Sequence, residues 1–235
     1  MRILVVGASK GLGKALVEGL GQAGDTLIGV SRTRPAALPA AVRWIEADLG
    51  QPRQAAAAIH EAVAGEGLDV LVYNVGIWEA LAFEDGYSFL DDDDGQIERM
   101  VATNLTAPLL LIKRLLPVLL NSMRPRIILT GSTSALPGSG RPEVTFGASK
   151  FGLRGIAETL REGFREQGLG VSCLNLGYLN TVDGLEVPLA QAEQRGEGSL
   201  IPLHDVVQVC RMMLSLSAAS YVRDITLPAL RDERF

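Results

Sequence analysis

The sequence predicts an α/β domain: one doubly wound parallel sheet of about seven strands with helices on both faces. Three observations predict it. Short runs rich in Val, Ile and Leu alternate with longer stretches of helical period, the pattern of repeated βαβ units. Several short runs are apolar almost throughout, as in strands covered by helices on both sides. The clusters that carry chemistry all follow the ends of these runs, where sheets of this kind bind ligands.

Taken in order, strands are expected over 2–6, 26–31, 42–46, 69–73, 126–130, 170–174 and 223–227. Helical stretches lie between them, over 12–21, 51–64, 96–121, 146–167 and 205–214. Two segments read as loops that shape a pocket. Residues 79–95 carry aromatics and an acidic run, and 181–202 are polar with several glycines. No repeat or linker divides the chain, so its 235 residues are expected to form a single domain over 1–235. Such a chain buries roughly 70–75% of its unfolded surface and needs no staples.

Composition excludes several function classes. A net charge of −5 gives no basic face for nucleic acid. Cys173 and Cys210 lack metal spacing and sit in apolar runs, as buried reduced thiols do. A strand beginning at Arg2 leaves no room for a signal peptide, so a cytoplasmic protein is expected. The apolar run 105–120 is interrupted by Pro108, Lys113, Arg114 and Pro117, so no membrane span is expected there. No metal site is expected either. His60 and His204 are isolated, and Asp91, Asp92, Asp93 and Asp94 suit a helix entry, where the dipole favours negative charge. Trp44 reads as strand packing, and Trp78 either as packing or as the border of a pocket.

The first strand runs into Gly7-Ala8-Ser9-Lys10-Gly11-Leu12-Gly13 and then a helix. Gly7 permits a tight turn, Gly11 lets the backbone approach a pyrophosphate, and Gly13 lets the helix pack on the strand. The helix amino terminus offers N–H groups and a positive dipole end to phosphates. A strand before and a helix after give the glycines the context of a Rossmann-type dinucleotide site; a plain βα turn rarely needs three. The second strand ends in Ser31-Arg32. A carboxylate there would hold a ribose 2′-hydroxyl. The guanidinium instead suits a 2′-phosphate, with Lys10 as a second cation, so NADP(H) is the expected cofactor.

These residues resemble the short-chain dehydrogenase/reductase family over nearly the whole chain. Asp48-Leu49 matches the family pair that holds the adenine. Tyr73-Asn74-Val75-Gly76 stands for Asn-Asn-Ala-Gly, with Asn74 and Gly76 matching. Asn104 matches the helix asparagine, Ser132 the catalytic serine and Lys150 the catalytic lysine. Asn175-Leu176-Gly177 leading to Thr181 resembles Asn-Pro-Gly…Thr at the nicotinamide end, with Leu176 for the proline. The resemblance implies cofactor contacts from Gly7, Ser9, Lys10, Gly11, Leu12, Gly13, Ser31, Arg32, Asp48, Leu49, Asn74, Gly76, Lys150, Gly177 and Thr181. It also implies catalytic roles for Asn104, Ser132 and Lys150, a small carbonyl or alcohol substrate, and a homodimer or homotetramer paired through the helices over 96–121 and 146–167.

The family's Tyr-x-x-x-Lys reads here Phe146-x-x-x-Lys150, two side chains on one helix face. In the family the tyrosine hydroxyl gives the carbonyl its proton, and losing such an acid costs about 10²–10⁴ in rate. Three explanations stand. The protein binds NADP(H) without turnover; its proton comes from elsewhere, such as Tyr178, Ser132 or a water; or the change was introduced into a catalytic chain. Non-redox catalysis in the same pocket is a weaker option. Pro108 has no N–H to bond the carbonyl of Asn104, which leaves that carbonyl open to a water; a helix kinked for packing fits the spacing equally well, and the resemblance, in which such a water links this asparagine to the lysine and relays protons to solvent, favours the relay.

Overall fold

The structure is a computed structural model that describes residues 1–36, 38–139 and 141–232. Its main sheet has seven parallel strands: β1 (Arg2–Val6), β2 (Thr26–Ser31), β3 (Arg43–Glu46), β4 (Val70–Tyr73), β5 (Arg126–Thr130), β6 (Gly170–Leu176) and β9 (Asp224–Leu227). Their order is β3-β2-β1-β4-β5-β6-β9. The chain therefore winds outward from β1 in one direction, then crosses and winds in the other. The crossing opens a cleft beyond the carboxyl ends of β1 and β4, as the sequence leads one to expect.

Alternation along the strands feeds two cores. Leu4, Val6, Ile28, Leu71, Ile127 and Val171 face α2 (Pro52–Val63), α4 (Ala107–Leu119) and α5 (Val144–Gly163). Ile3, Val5, Val70, Val72 and Ile128 face α1 (Gly11–Gly19) and α7 (Leu203–Ser215). Each fully buried aliphatic side chain stabilises the fold by about 1.5–3 kcal/mol, so both helical layers are held chiefly by these contacts. Trp44 lies against Gly29 on the neighbouring strand, as strand packing requires.

Two features depart from expectation, while the acidic run agrees with it. The acidic run does enter a helix: Asp93 Oδ1 accepts from Gln96 N at 2.9 Å and caps α3 (Asp94–Val101). The helix then continues unbroken to Leu119, a stretch of 26 residues long and apolar enough by length and composition to cross a membrane, half of whose most apolar window is buried. Pro108 and Pro117 do not interrupt it. The turn Ala102–Thr106 widens into a π-helix, with Ala107 N bonding Ala102 O, and absorbs the irregularity just ahead of Pro108.

The segment over 181–202 is also more ordered than a loop. It holds α6 (Leu189–Ala192), and its last two residues, β8 (Ile201–Pro202), pair in parallel with β7 (Leu179–Asn180) just ahead of it. Arg195 grips Asp183 through two bonds of 2.6 and 2.9 Å, and Asn180 Nδ2 bonds both Asp183 and the Ala192 carbonyl. The guanidinium holds the Asp183 carboxyl below the usual carboxylate range.

Candidate active site

At the carboxyl ends of the central strands lies a cavity of about 550 Å³. The glycine loop forms one end. Gly7 sits at φ +86 and Gly11 at φ +51, both in the left-handed region that favours glycine. A Cβ on Gly13 would stand 1.8 Å from the Gly7 carbonyl oxygen, so only glycine allows α1 to reach the turn. Among the described residues, no side chain caps the amino terminus of α1. Its first-turn N–H groups therefore remain available beside Lys10, Gly11 and Leu12, which line the cavity. This is the cradle that a pyrophosphate fits.

The rest of the predicted set divides. Asn74, Gly76, Ser132, Lys150, Gly177 and Thr181 line the same cavity. Gly7, Ser9 and Gly13 build the loop beneath it. Ser31 is buried, and its hydroxyl donates to Thr33 O at 2.6 Å, shaping the turn after β2. Arg32 follows at the exposed end of that strand and does not line the cavity. Asp48 is exposed and closes its own turn by accepting from Gly50 N at 3.0 Å, while Leu49 is buried in the core.

Asn104 is fully buried within the π turn and does not line the cavity. Its Nδ2 donates to Ile77 O at 2.7 Å and to Ser149 Oγ at 3.1 Å, and its Oδ1 accepts from Ile77 N at 2.9 Å. The side chain thereby clamps the segment after β4 to α5. Tyr73 assists from below, its hydroxyl donating to Thr103 O at 2.8 Å.

Lys150 is 5% exposed, and its Nζ donates to Thr130 O at 3.0 Å. Burial lowers it to about 8. A Cβ on Gly76 would come within 3.0 Å of this Nζ, so the glycine makes room for it. Ser132 Oγ accepts from Ser134 N at 3.1 Å, which leaves the hydroxyl proton free to be donated to a carbonyl oxygen in the cavity.

Phe146 shares its helix face with Lys150, whose Nζ lies 5.6 Å from the ring centroid. Its ring meets Phe83 edge-on at 5.6 Å and Trp78 at 6.4 Å, and Phe83 in turn meets Tyr178 at 5.7 Å. Arg141 Nη1 donates to the Tyr178 hydroxyl at 2.9 Å. Of the expected pocket-shaping loops, Phe83 and Thr181 reach the lining; Trp78, Arg141, Phe146 and Tyr178 line the cavity with them. Sequence reasoning missed Phe83 and Arg141, because nothing in their spacing marks them before the chain folds.

Comparison with known proteins agrees with this geometry. Residues 1–187 match the family described as short chain dehydrogenase. A short-chain type dehydrogenase/reductase of Sinorhizobium fredii is 30% identical over 162 residues, 67% of this chain and 61% of that protein, so the match spans under two thirds of the relative. The 3-oxoacyl-acyl-carrier-protein reductase FabG of Escherichia coli is 26% identical over 185 residues, 76% of this chain and 73% of its own. Among solved structures, a short-chain dehydrogenase from Streptomyces avermitilis superposes with a TM-score of 0.79 at 22% identity, covering 97% of this chain and 88% of its own. A metagenomic short-chain oxidoreductase in complex with NADP gives 0.74 at 22% identity, covering 98% of both chains. The cradle, the serine and lysine beside it and the matched residues together place the chain in the short-chain dehydrogenase/reductase family.

Proposed function

We propose that the protein is an NADP(H)-dependent oxidoreductase that interconverts a carbonyl and an alcohol on a small molecule. The observation that carries this reading is one cavity bounded at one end by an uncapped, glycine-lined helix terminus and at the other by Ser132 and Lys150. The dinucleotide would supply the hydride. Gly11 and Leu12 would hold its pyrophosphate, Lys10 and Arg32 its additional phosphate, and Lys150 its nicotinamide ribose. Ser132 would orient the carbonyl oxygen. The FabG relative and the NADP-bound structural neighbour support this class of reaction and cofactor. Half-exposed Val101, Leu109 and Phe151 on α3, α4 and α5 support pairing of two copies through these helices, which sedimentation would test.

Titration of the protein with NADPH and NADH, followed by nucleotide fluorescence, tests the cofactor assignment. NADPH should bind more tightly. Arg32→Ala should weaken NADPH alone by about 10- to 100-fold, the range of a charge-assisted hydrogen bond. Equal affinities for the two nucleotides would overturn the assignment.

A further inference from the structure

Reducing a carbonyl to an alcohol requires a proton as well as a hydride, and the Phe146 ring has none to give. We propose that Tyr178 delivers it, positioned by Arg141, an assignment that rests on the oxidoreductase reading above.

The cavity wall narrows the choice. Its hydroxyl-bearing side chains are Thr130, Ser132, Thr133, Ser134, Tyr178 and Thr181, and only Tyr178 is a phenol, a far stronger acid than an alkyl alcohol. Arg141 Nη1 donates to the phenol oxygen at 2.9 Å, so the oxygen acts as acceptor toward the guanidinium and its own proton stays free for the cavity. The same guanidinium stabilises the negative charge left on that oxygen once the proton departs. Arg141 is itself fixed: its side chain is 5% exposed, lies 3.8 Å from the Asp232 carboxylate, whose side chain is 2% exposed, and covers the Tyr178 ring at 5.1 Å. Phe83 touches both rings, Phe146 and Tyr178, and so links the position that lacks a hydroxyl to the residue that carries one. Lys150, an ammonium on the same wall, spends one N–H on Thr130 O.

The step balances. A bound dinucleotide would supply the hydride to the carbonyl carbon, and the C=O π electrons would pass to oxygen. That oxygen takes the Tyr178 proton, breaking the phenol O–H bond and forming the alcohol O–H bond. The phenolate beside Arg141 regains a proton from solvent water. Tyr178 is thus the catalytic residue and Arg141 the positioning residue.

The test uses the full chain with NADPH and two aromatic carbonyl probes, 4-nitrobenzaldehyde and 9,10-phenanthrenequinone. Tyr178→Phe should lower turnover by about 10²- to 10⁴-fold while leaving the NADPH dissociation constant unchanged. Aldehyde binding without dinucleotide, read by quenching of Trp fluorescence, should weaken by about 2- to 10-fold, the loss of one hydrogen bond. Adding Phe146→Tyr to Tyr178→Phe should restore turnover at least tenfold. Arg141→Met should lower kcat more than it raises KM, and Arg141→Lys should recover part of the loss. Turnover kept within threefold by Tyr178→Phe, or aldehyde binding unmoved by it, would overturn the assignment alone. Loss of turnover in Lys150→Met with none in Tyr178→Phe would give the proton to the lysine instead. A protein inert both as it stands and as Phe146→Tyr would overturn the oxidoreductase reading and this assignment with it.

Discussion

The backbone N–H of Phe146 donates to Glu79 Oε1, 67 residues earlier, at 2.9 Å. Phe146 lies in the first turn of α5, where N–H groups have no partner within the helix. Glu143, at the start of that helix, answers by accepting from Phe83 N at 2.9 Å. Two buried carboxylates, 1% and 2% exposed, thus tie the segment after β4 to the helix and bring Phe83 against Phe146.

Glu79→Ala should therefore both destabilise the fold and loosen the aromatic wall. It leaves a buried N–H without an acceptor, a cost of about 1–3 kcal/mol. Glu79→Gln keeps an acceptor oxygen and should cost less than half as much. Urea unfolding measures both. Equal and negligible effects would mean the bond contributes nothing.

Lys150 predicts how stability depends on pH. Burial lowers it from the ordinary 10.5 to about 8. Between these values the unfolded chain holds the proton and the folded chain has released it. Stability then rises with pH through that window, and the burial cost is fully present below it. The difference is on the order of 3 kcal/mol. Subtracting the unfolding free energy of Lys150→Met from that of the unliganded protein, between pH 7 and 10, cancels the titrations common to both. The difference should climb toward alkaline pH in favour of the lysine; a flat difference would contradict a desolvated ammonium.

Gly13→Ala tests the glycine cradle directly. The added Cβ would fall 1.8 Å from Gly7 O, a backbone atom that cannot swing aside. Either α1 shifts or the turn opens, at a cost of at least about 1–3 kcal/mol and with loss of nucleotide binding. Gly65, just beyond α2, has nothing within 4 Å of the same position. Gly65→Ala should leave binding intact and hold or raise stability by about 0.4–1 kcal/mol. Matching behaviour of the two variants in thermal melts and nucleotide titrations would refute the close approach.

Much of this architecture is legible in the linear chain because it is written locally. Apolar runs such as Arg2–Val6 need only neighbours on the same strand, and the spacing of Gly7, Gly11 and Gly13 falls within one turn and one helix start. The cavity wall is different. Arg141 meets Tyr178 across 37 residues, and Glu79 meets Phe146 across 67; neither pair leaves a periodic trace. The π turn is hidden for the same reason. Pro108 signals an irregularity, but only the packed helix shows that it is absorbed upstream, around Asn104, rather than ending the helix.

That turn supplies the last expectation. Tyr73 stands where the family pattern carries an asparagine, and its hydroxyl donates to Thr103 O at 2.8 Å inside the widened turn. Both residues are buried, and burial pushes the Tyr73 phenol well above its ordinary range, so it stays a donor. Tyr73→Phe would preserve the ring and strip the Thr103 carbonyl of its partner, which costs about 1–3 kcal/mol. For a chain of this length that corresponds to a fall of roughly 2–12 °C in melting temperature. Because Asn104 follows Thr103 directly and clamps both polar groups of Ile77, the disturbance should reach the cavity, weakening NADPH binding by a fewfold. Tyr221→Phe, at a half-exposed position, should stay within about 0.5 kcal/mol. If Tyr73→Phe melts with the parent protein, the widened turn is held by its own backbone and the tyrosine serves only to fill space.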